Sequence, residues 1–186
     1  MNQKTHHVVP PLPEHRLRIL LSEEKVDQRI RELRHQLTAD YRELDPVVIA
    51  VLKGSFIFVA DLIRGLEFPL TTEFMRVSSY GNQVVTTGEV KLELDIACSV
   101  SNRHVLLVED IVDTGLTLEY LKATLEVRRP ASLKVCALLH KPSNNVKISN
   151  LEYVGFNIPN EFVVGYGLDY QGYYRNLPYI AQLELL

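Results

Sequence analysis

The sequence predicts an α/β domain with a mostly parallel sheet, and three observations carry that reading. Short apolar runs recur at Val47–Leu52, Val105–Val108 and, interrupted only by Lys134, Leu133–Leu139. Such runs suit strands covered on both faces. Stretches with apolar residues at helical spacing precede or follow them. Each run then stops in glycine, lysine or acids: Lys53-Gly54-Ser55, Glu109-Asp110 and His140-Lys141. In open α/β sheets the C-terminal strand edge is where ligands bind.

Residues 1–15 hold three prolines and two adjacent histidines and read as an extended arm; Arg16–Leu21 is a short strand. Ser22 is a helix N-cap, with Glu23 and Glu24 in the first turn, where the helix dipole favours acids. Val26, Ile30, Leu33, Leu37 and Tyr41 follow on one helical stripe. Pro46–Leu52 is the first buried strand, and a helix spans roughly 55–66. Thr71–Val77 alternates and reads as an edge strand. Ser78–Glu89 carries two glycines and many polar residues without an apolar period, so it reads as a long loop of the kind that forms lids. Lys91–Ile96 returns as a strand, and Ser101–Arg103 turns into the central strand.

That central strand, Val105–Val108, ends in Glu109 and Asp110, and Asp113-Thr-Gly-Leu-Thr117 then opens a helix to about Arg128. Leu118, Leu121, Leu125 and Thr124 face inward on it, and Pro130 stops it. Leu133–Leu139 is the next parallel strand. Asn150–Gly155 and Glu161–Val164 are short β segments, and Leu177–Leu186 supplies a final strand.

At 186 residues, one domain is expected. A composition of 46% hydrophobic and 23% charged residues with net charge −3 gives no global pull toward nucleic acid or anionic membrane. Apolar runs stay far below the ~18 residues of a membrane span, and no signal peptide is visible at the N-terminus. Cys98 and Cys136 lie apart in apolar surroundings, as buried thiols do in a reducing cytosol, so a cytoplasmic location is expected. No histidine or cysteine pair has zinc-site spacing.

The chemistry concentrates at the central strand. Thr114, Gly115 and Thr117 place hydroxyls and backbone N–H groups at a helix start, which suits a phosphate. Glu109, Asp110 and Asp113 put three carboxylates within five residues; a bound Mg²⁺ or sugar hydroxyls would relieve their repulsion. The set describes a site for a phosphorylated sugar. There is no Gly-x4-Gly-Lys-Ser/Thr, and the acids are spaced Asp-x-x-Asp, against a P-loop and an aspartyl-phosphate phosphatase respectively.

At each of its thirteen positions, Val105–Thr117 resembles the phosphoribosyl-pyrophosphate motif of the type I phosphoribosyltransferases. The resemblance implies that Glu109 and Asp110 orient ribose hydroxyls and Mg²⁺. It makes Asp113 the general base at the purine N7, with a further contact to the donor, and assigns Thr114, Gly115, Leu116 and Thr117 to the 5′-phosphate. Lys53 and Gly54 would bind pyrophosphate, with a cis peptide expected at Lys53–Gly54. Ser78-Ser-Tyr-Gly, with Thr-Thr-Gly-x-Val-Lys behind it, resembles the family's closing loop, in which Ser79 and Tyr80 contact pyrophosphate; Arg76 is a second candidate cation there. Lys141 would donate to the O6 oxygen of a 6-oxopurine, since lysine offers only donors and so rejects an amino group. His140 departs from the pattern, because bacterial relatives usually carry an acid there.

The string Phe162-Val-Val-Gly-Tyr-Gly-Leu-Asp169, with Arg175, resembles the purine-binding hood of the hypoxanthine–guanine branch. Phe162 would stack on the base, the backbones of Val163 and Asp169 would touch its edge, the Asp169 carboxylate would hold a second Mg²⁺, and Arg175 would reach pyrophosphate. The resemblance runs from roughly Val26 to Leu183. It implies a single domain over 1–186: a core at about 22–142 with helices on both sheet faces, and a small hood from 1–21 and 143–186. The implied reaction is transfer of phosphoribosyl from phosphoribosyl pyrophosphate to hypoxanthine or guanine. Small-molecule substrates and a homodimer or homotetramer are expected, with no nucleic acid and no membrane. Two alternatives stay open: a xanthine/guanine-preferring enzyme, and a non-catalytic sensor of the donor that binds RNA, which would need a basic face.

Overall fold

The computed structural model describes residues 12–79, 90–144 and 151–186. Its centre is a six-stranded sheet made of β2 (Val47–Leu52), β3 (Thr71–Ser79), β4 (Val90–Leu94), β5 (His104–Val112), β6 (Ser132–His140) and β7 (Tyr153–Asn157). The strand order is β4-β3-β2-β5-β6-β7, with all neighbours parallel except β3 and β4. A second sheet joins β1 (His15–Leu21), β8 (Val163–Val164) and β9 (Ile180–Leu185) in the order β1-β9-β8, all antiparallel. This second sheet is the hood, closed by strands from both chain ends.

The strand alternation sorts the core into two layers. Val48, Ala50, Leu106, Val108, Cys136 and Leu138 point to one face, where α1 (Glu23–Tyr41) and α2 (Phe56–Ile63) cover them. Val47, Ile49, Val51, Val105, Leu107, Val135 and Ala137 point to the other, under α3 (Leu116–Glu126). The helical stripe Val26, Ile30, Leu33, Leu37 and Tyr41 is buried as its spacing predicts, and Ser22 caps α1 by accepting from the Lys25 N–H at 3.5 Å. On α3, Leu118, Leu121 and Leu125 are buried, joined by Lys122; Thr124 is half-buried and donates to the Tyr120 carbonyl at 2.8 Å.

Several expectations need correction. The central strand does not stop at the acids: its ladder to β6 continues through Glu109–Ala137, Ile111–Leu139 and Val112–His140. The acids therefore stand on the strand, held by backbone hydrogen bonds. β3 is not an edge strand, because β4 pairs on its outer side. The helix after β2 ends at Ile63 rather than near residue 66. The non-proline cis bond falls at Leu52–Lys53, one residue before the expected Lys53–Gly54. The ladder to β3 runs to Leu52 opposite Arg76, so the bond sits where the chain leaves the sheet. Both cysteines are free, Cys136 fully buried and Cys98 partly. Among the described residues no helix is long and apolar enough to cross a membrane.

Candidate functional site

The C-terminal ends of β2, β5 and β6 meet the hood, and two adjoining cavities open there. One, of about 270 Å³, is lined by Glu109, Asp110, Ile111, Val112, Asp113, Thr114, Gly115, Thr117 and Leu118. The other, of about 190 Å³, is lined by Asp110, Ile111, Asp113, Lys141, Phe162, Val163, Leu168 and Asp169. Asp110, Ile111 and Asp113 line both, so a ligand spanning them passes the β5 rim. A larger hollow between α1 and the segment after α2 holds none of these groups.

The first cavity is an anion cradle at a helix start. Gly115 is the N-cap of α3 with φ +81°, a left-handed conformation that glycine adopts without steric cost. The first helical residues have N–H groups without intrahelical partners, and at a helix start the dipole favours negative charge. Leu116 is 58% exposed, so its backbone N–H, rather than its side chain, suits this cradle.

Glu109 is the most unusual group in the site. It is 6% exposed, and its Oε2 is buried without a hydrogen-bond partner. Burial, then the neighbouring Asp110, push its carboxyl well above the usual carboxylate range. Burial also pushes Asp110 up to about 6, against the pull of backbone hydrogen bonds and of Arg175. Asp110 Oδ1 accepts from the Ile111 N–H at 2.9 Å. Its carboxylate lies over the α-carbon of Gly54, where any Cβ would overlap it. Glycine at position 54 is therefore what lets the β2 loop and the β5 acid meet.

The hood closes on the same loop. Gly167, at φ +101°, brings its α-carbon against the Gly54 carbonyl, and a Cβ there would overlap that oxygen. Its N–H donates to the Arg175 carbonyl at 2.9 Å, and Arg175 Nη1 donates back to the Gly167 carbonyl at 2.6 Å. Gly167→Ala combines a left-handed backbone with a backbone clash, so it should cost roughly 2–4 kcal/mol of stability. Urea denaturation checks this; a loss below 0.5 kcal/mol, on the order of a neutral surface change, would contradict it.

At the second cavity, Lys141 Nζ pairs with Asp113 Oδ2 at 2.8 Å; the lysine side chain is 8% exposed and the aspartate 43%. The pair spans 28 residues of sequence, and spacing carries no signal for it. His140 turns away and bonds Asn157 Oδ1 at 3.0 Å, so it does not contribute to the Lys141 environment by direct contact. Phe162 is 52% exposed beside the cavity, with the Tyr170 ring 5.7 Å away and its plane at 80°. Ile111 and Leu168 line the same space and were not expected from the sequence; they are apolar neighbours of polar landmarks.

The remaining expected residues are distributed as follows. Lys53 is exposed at the end of β2, beside Gly54. Arg175 and Asp169 pair with each other, and Asp169 Oδ2 also accepts the Gly172 N–H at 2.7 Å. Arg76 is engaged by Glu93 at 2.9 Å across β3 and β4. Ser79 is the last residue of β3, and Tyr80 with the rest of the closing loop lies outside the described residues. Among the described residues no three acids, histidines or cysteines converge as a metal cage; Asp169 pairs with Arg175 and shares the second cavity with Asp110.

Known proteins resemble this chain over most of its length. The phosphoribosyl transferase domain family matches residues 18–171. A hypoxanthine-guanine phosphoribosyltransferase of Bacillus subtilis is 47% identical over 167 residues, covering 90% of this chain and 93% of that protein. A hypoxanthine phosphoribosyltransferase of Haemophilus influenzae is 45% identical over 177 residues, covering 94% and 99%. The crystal structure of a Bacillus anthracis hypoxanthine-guanine phosphoribosyltransferase, with a HEPES molecule in its active site, superposes with a TM-score of 0.84 at 49% identity, covering 91% of this chain and 99% of that one. A motif matched along a whole strand–loop–helix, a sheet that delivers it to a hooded cleft, and relatives aligned over nine-tenths of the chain have one explanation: the chain belongs to the phosphoribosyl transferase domain family.

Proposed function

We propose that the chain catalyses purine salvage, transferring the 5-phosphoribosyl group from phosphoribosyl pyrophosphate to hypoxanthine or guanine and releasing pyrophosphate. The observation that carries this is the buried, unpartnered Glu109 oxygen beside the anion cradle. A buried acceptor without a donor is costly, and ribose hydroxyls or a bound cation would satisfy it. In this reading the loop Thr114–Thr117 holds the 5′-phosphate, and Glu109 and Asp110 face the ribose. Lys53, Gly54, Ser79, Tyr80 and Arg175 serve the pyrophosphate. Lys141, Phe162 and the Val163 and Asp169 backbones hold the base. Asp113 takes the N7 proton. The ribose C1 gains positive charge as pyrophosphate leaves, so fixed carboxylates and exclusion of water are what the site contributes.

Mg²⁺ fits the residues present. It usually takes one or two carboxylates plus substrate phosphates rather than a complete protein cage, and Glu109 and Asp110 offer those two, with Asp169 available once its pairing to Arg175 is exchanged. Bound with the donor, Mg²⁺ would offset the pyrophosphate charge. A homodimer or homotetramer is supported by Phe74 and Leu94, 40% and 44% exposed near the sheet edge, and a cytoplasmic setting by the two free thiols.

Rates with hypoxanthine, guanine, xanthine and adenine test the proposal. Turnover with hypoxanthine or guanine and none with adenine is expected. Turnover mainly with xanthine would favour the alternative specificity, and salt-sensitive RNA binding without turnover would favour a regulator. A pH dependence also follows. The folded-state value of Asp110, about 6, lies above its ordinary 3.8. For the free protein this means stability is lost as pH rises from 3.8 to about 6. The donor complex needs the ionised form, so affinity for Mg²⁺–phosphoribosyl pyrophosphate should fall as pH drops below about 6. Calorimetry in two buffers of different ionisation heat should show proton release on binding near that pH; binding without proton release would contradict it.

A further inference from the structure

We propose that Tyr170, backed by His15 of the N-terminal strand, is a positioning residue that fixes the Phe162 ring for purine stacking; this rests on the reading of Phe162 as the base platform. Phe162 borders the base cavity with half its surface exposed and sits just before the two-residue strand β8. Little of its own element restrains the ring. Its aromatic neighbour is Tyr170, with centroids 5.7 Å apart and planes at 80°. This is the edge-to-face arrangement that ring quadrupoles favour.

Tyr170 is in turn held from two sides. It exchanges backbone hydrogen bonds with Tyr173, at 3.2 and 3.0 Å, in a tight turn of the hood. On the other side lies the His15 ring, 6.5 Å away and tilted by 59°. His15 is itself fixed: it pairs with Leu185 in the β1–β9 ladder, its Nδ1 bonds the Pro13 carbonyl at 2.6 Å, and its Nε2 bonds the Tyr174 hydroxyl at 2.5 Å. A carbonyl only accepts, so Nδ1 carries a proton and the ring orientation is set. The Tyr174 and His15 rings lie 5.7 Å apart with planes at 69°. A connected row of rings thus runs from the N-terminal strand to the platform, and it joins residues 15 and 162, which the fold alone brings together. Stacking depends on ring orientation, and a platform ordered in advance loses less freedom when the base arrives. The row therefore acts on base affinity, and none of its rings lines the donor cavity, which adjoins the base cavity at the same end of β5.

The test measures KM for hypoxanthine and for phosphoribosyl pyrophosphate, with kcat, in Tyr170→Leu, Tyr170→Phe, His15→Leu and Phe162→Leu, each with its melting curve. Tyr170→Leu should raise the hypoxanthine KM about 3–10-fold and leave the donor KM within about twofold. Tyr170→Phe keeps the ring edge and should restore the parental value, and His15→Leu should give a smaller rise of the same kind. If Phe162→Leu raises the hypoxanthine KM and Tyr170→Leu does not, the platform stands and the positioning role is overturned. If Phe162→Leu has no effect on it, both fail. An equal rise in both KM values, or no recovery in Tyr170→Phe, would mark a merely structural ring and would also overturn the role.

Discussion

Replacing Asp113 with asparagine lowers turnover by about 10²–10⁴-fold, the usual weight of one general base, while affinity for phosphoribosyl pyrophosphate stays within a few-fold. Asparagine keeps the shape and can still accept a hydrogen bond from Lys141, but it cannot take the N7 proton. In the proposed reading most of the donor's contacts lie on Glu109, Asp110 and the Thr114–Thr117 loop, and asparagine keeps the shape of Asp113 where it lines the same cavity, so donor binding is largely spared. The variant should also lose stability. Lys141 is 7% exposed, and removing the charge that faces it leaves a buried ammonium beside a neutral amide, at a cost of about 1–3 kcal/mol. Pre-steady-state rapid-quench measurement of nucleotide formation separates the chemical step from product release. Unchanged turnover would remove Asp113 from the role.

The ion pair gives the base cavity its logic. O6 and N7 are neighbours on one edge of a 6-oxopurine, and Lys141 and Asp113 are neighbours on one wall of the cavity. An ammonium has three donors and a carboxylate two acceptor oxygens. The pair can therefore remain joined while the lysine donates to O6 and the aspartate accepts from N7. In the proposed reading, the Lys141–Asp113 contact at 2.8 Å would be a preorganised complement to that edge. It fixes two side chains before substrate arrives, one from the β5 end and one from the β6 end.

How much of this could be read beforehand depended on sequence distance. The strand, loop and helix start that line the first cavity were legible because they are consecutive, so a local pattern held them together. The layers were legible because apolar runs and helical stripes record burial directly. The strand length was misread because Glu109 and Asp110 look like solvent-facing terminators, whereas Glu109 is buried and the ladder continues to Val112. A buried acid at a site violates the pattern that sequence reading relies on. β3 was misread for a related reason: the partner that covers it, β4, follows a long intervening segment. The Lys141–Asp113 pair, the Gly54–Asp110 contact and the His15–Tyr174 bond join distant residues. Family resemblance could assign roles to some of these residues, but only the fold shows which of them touch.

Lys141→Met should separate recognition from stability. Methionine matches lysine in length, so the cavity keeps its shape while the donor disappears. A hydrogen bond to a charged group contributes about 1.5–3 kcal/mol, so kcat/KM for hypoxanthine and guanine should fall roughly 10–150-fold. Adenine should gain, or at least not lose, because the group that rejects its amino donor is gone. Discrimination of 6-oxo over 6-amino purines, which a dedicated hydrogen-bonding site can raise to about 10⁴–10⁵, should then shrink by at least about tenfold. Stability should respond differently from Asp113→Asn, although the same pair is broken. Here the survivor is a carboxylate with 43% of its side chain exposed, which water can solvate, and a buried ammonium has been replaced by an apolar chain. The melting temperature should therefore hold or rise. A base panel with matched melting curves checks both halves, and a variant that lost hypoxanthine and adenine turnover equally would mean that Lys141 serves the fold of the cavity rather than the reading of O6.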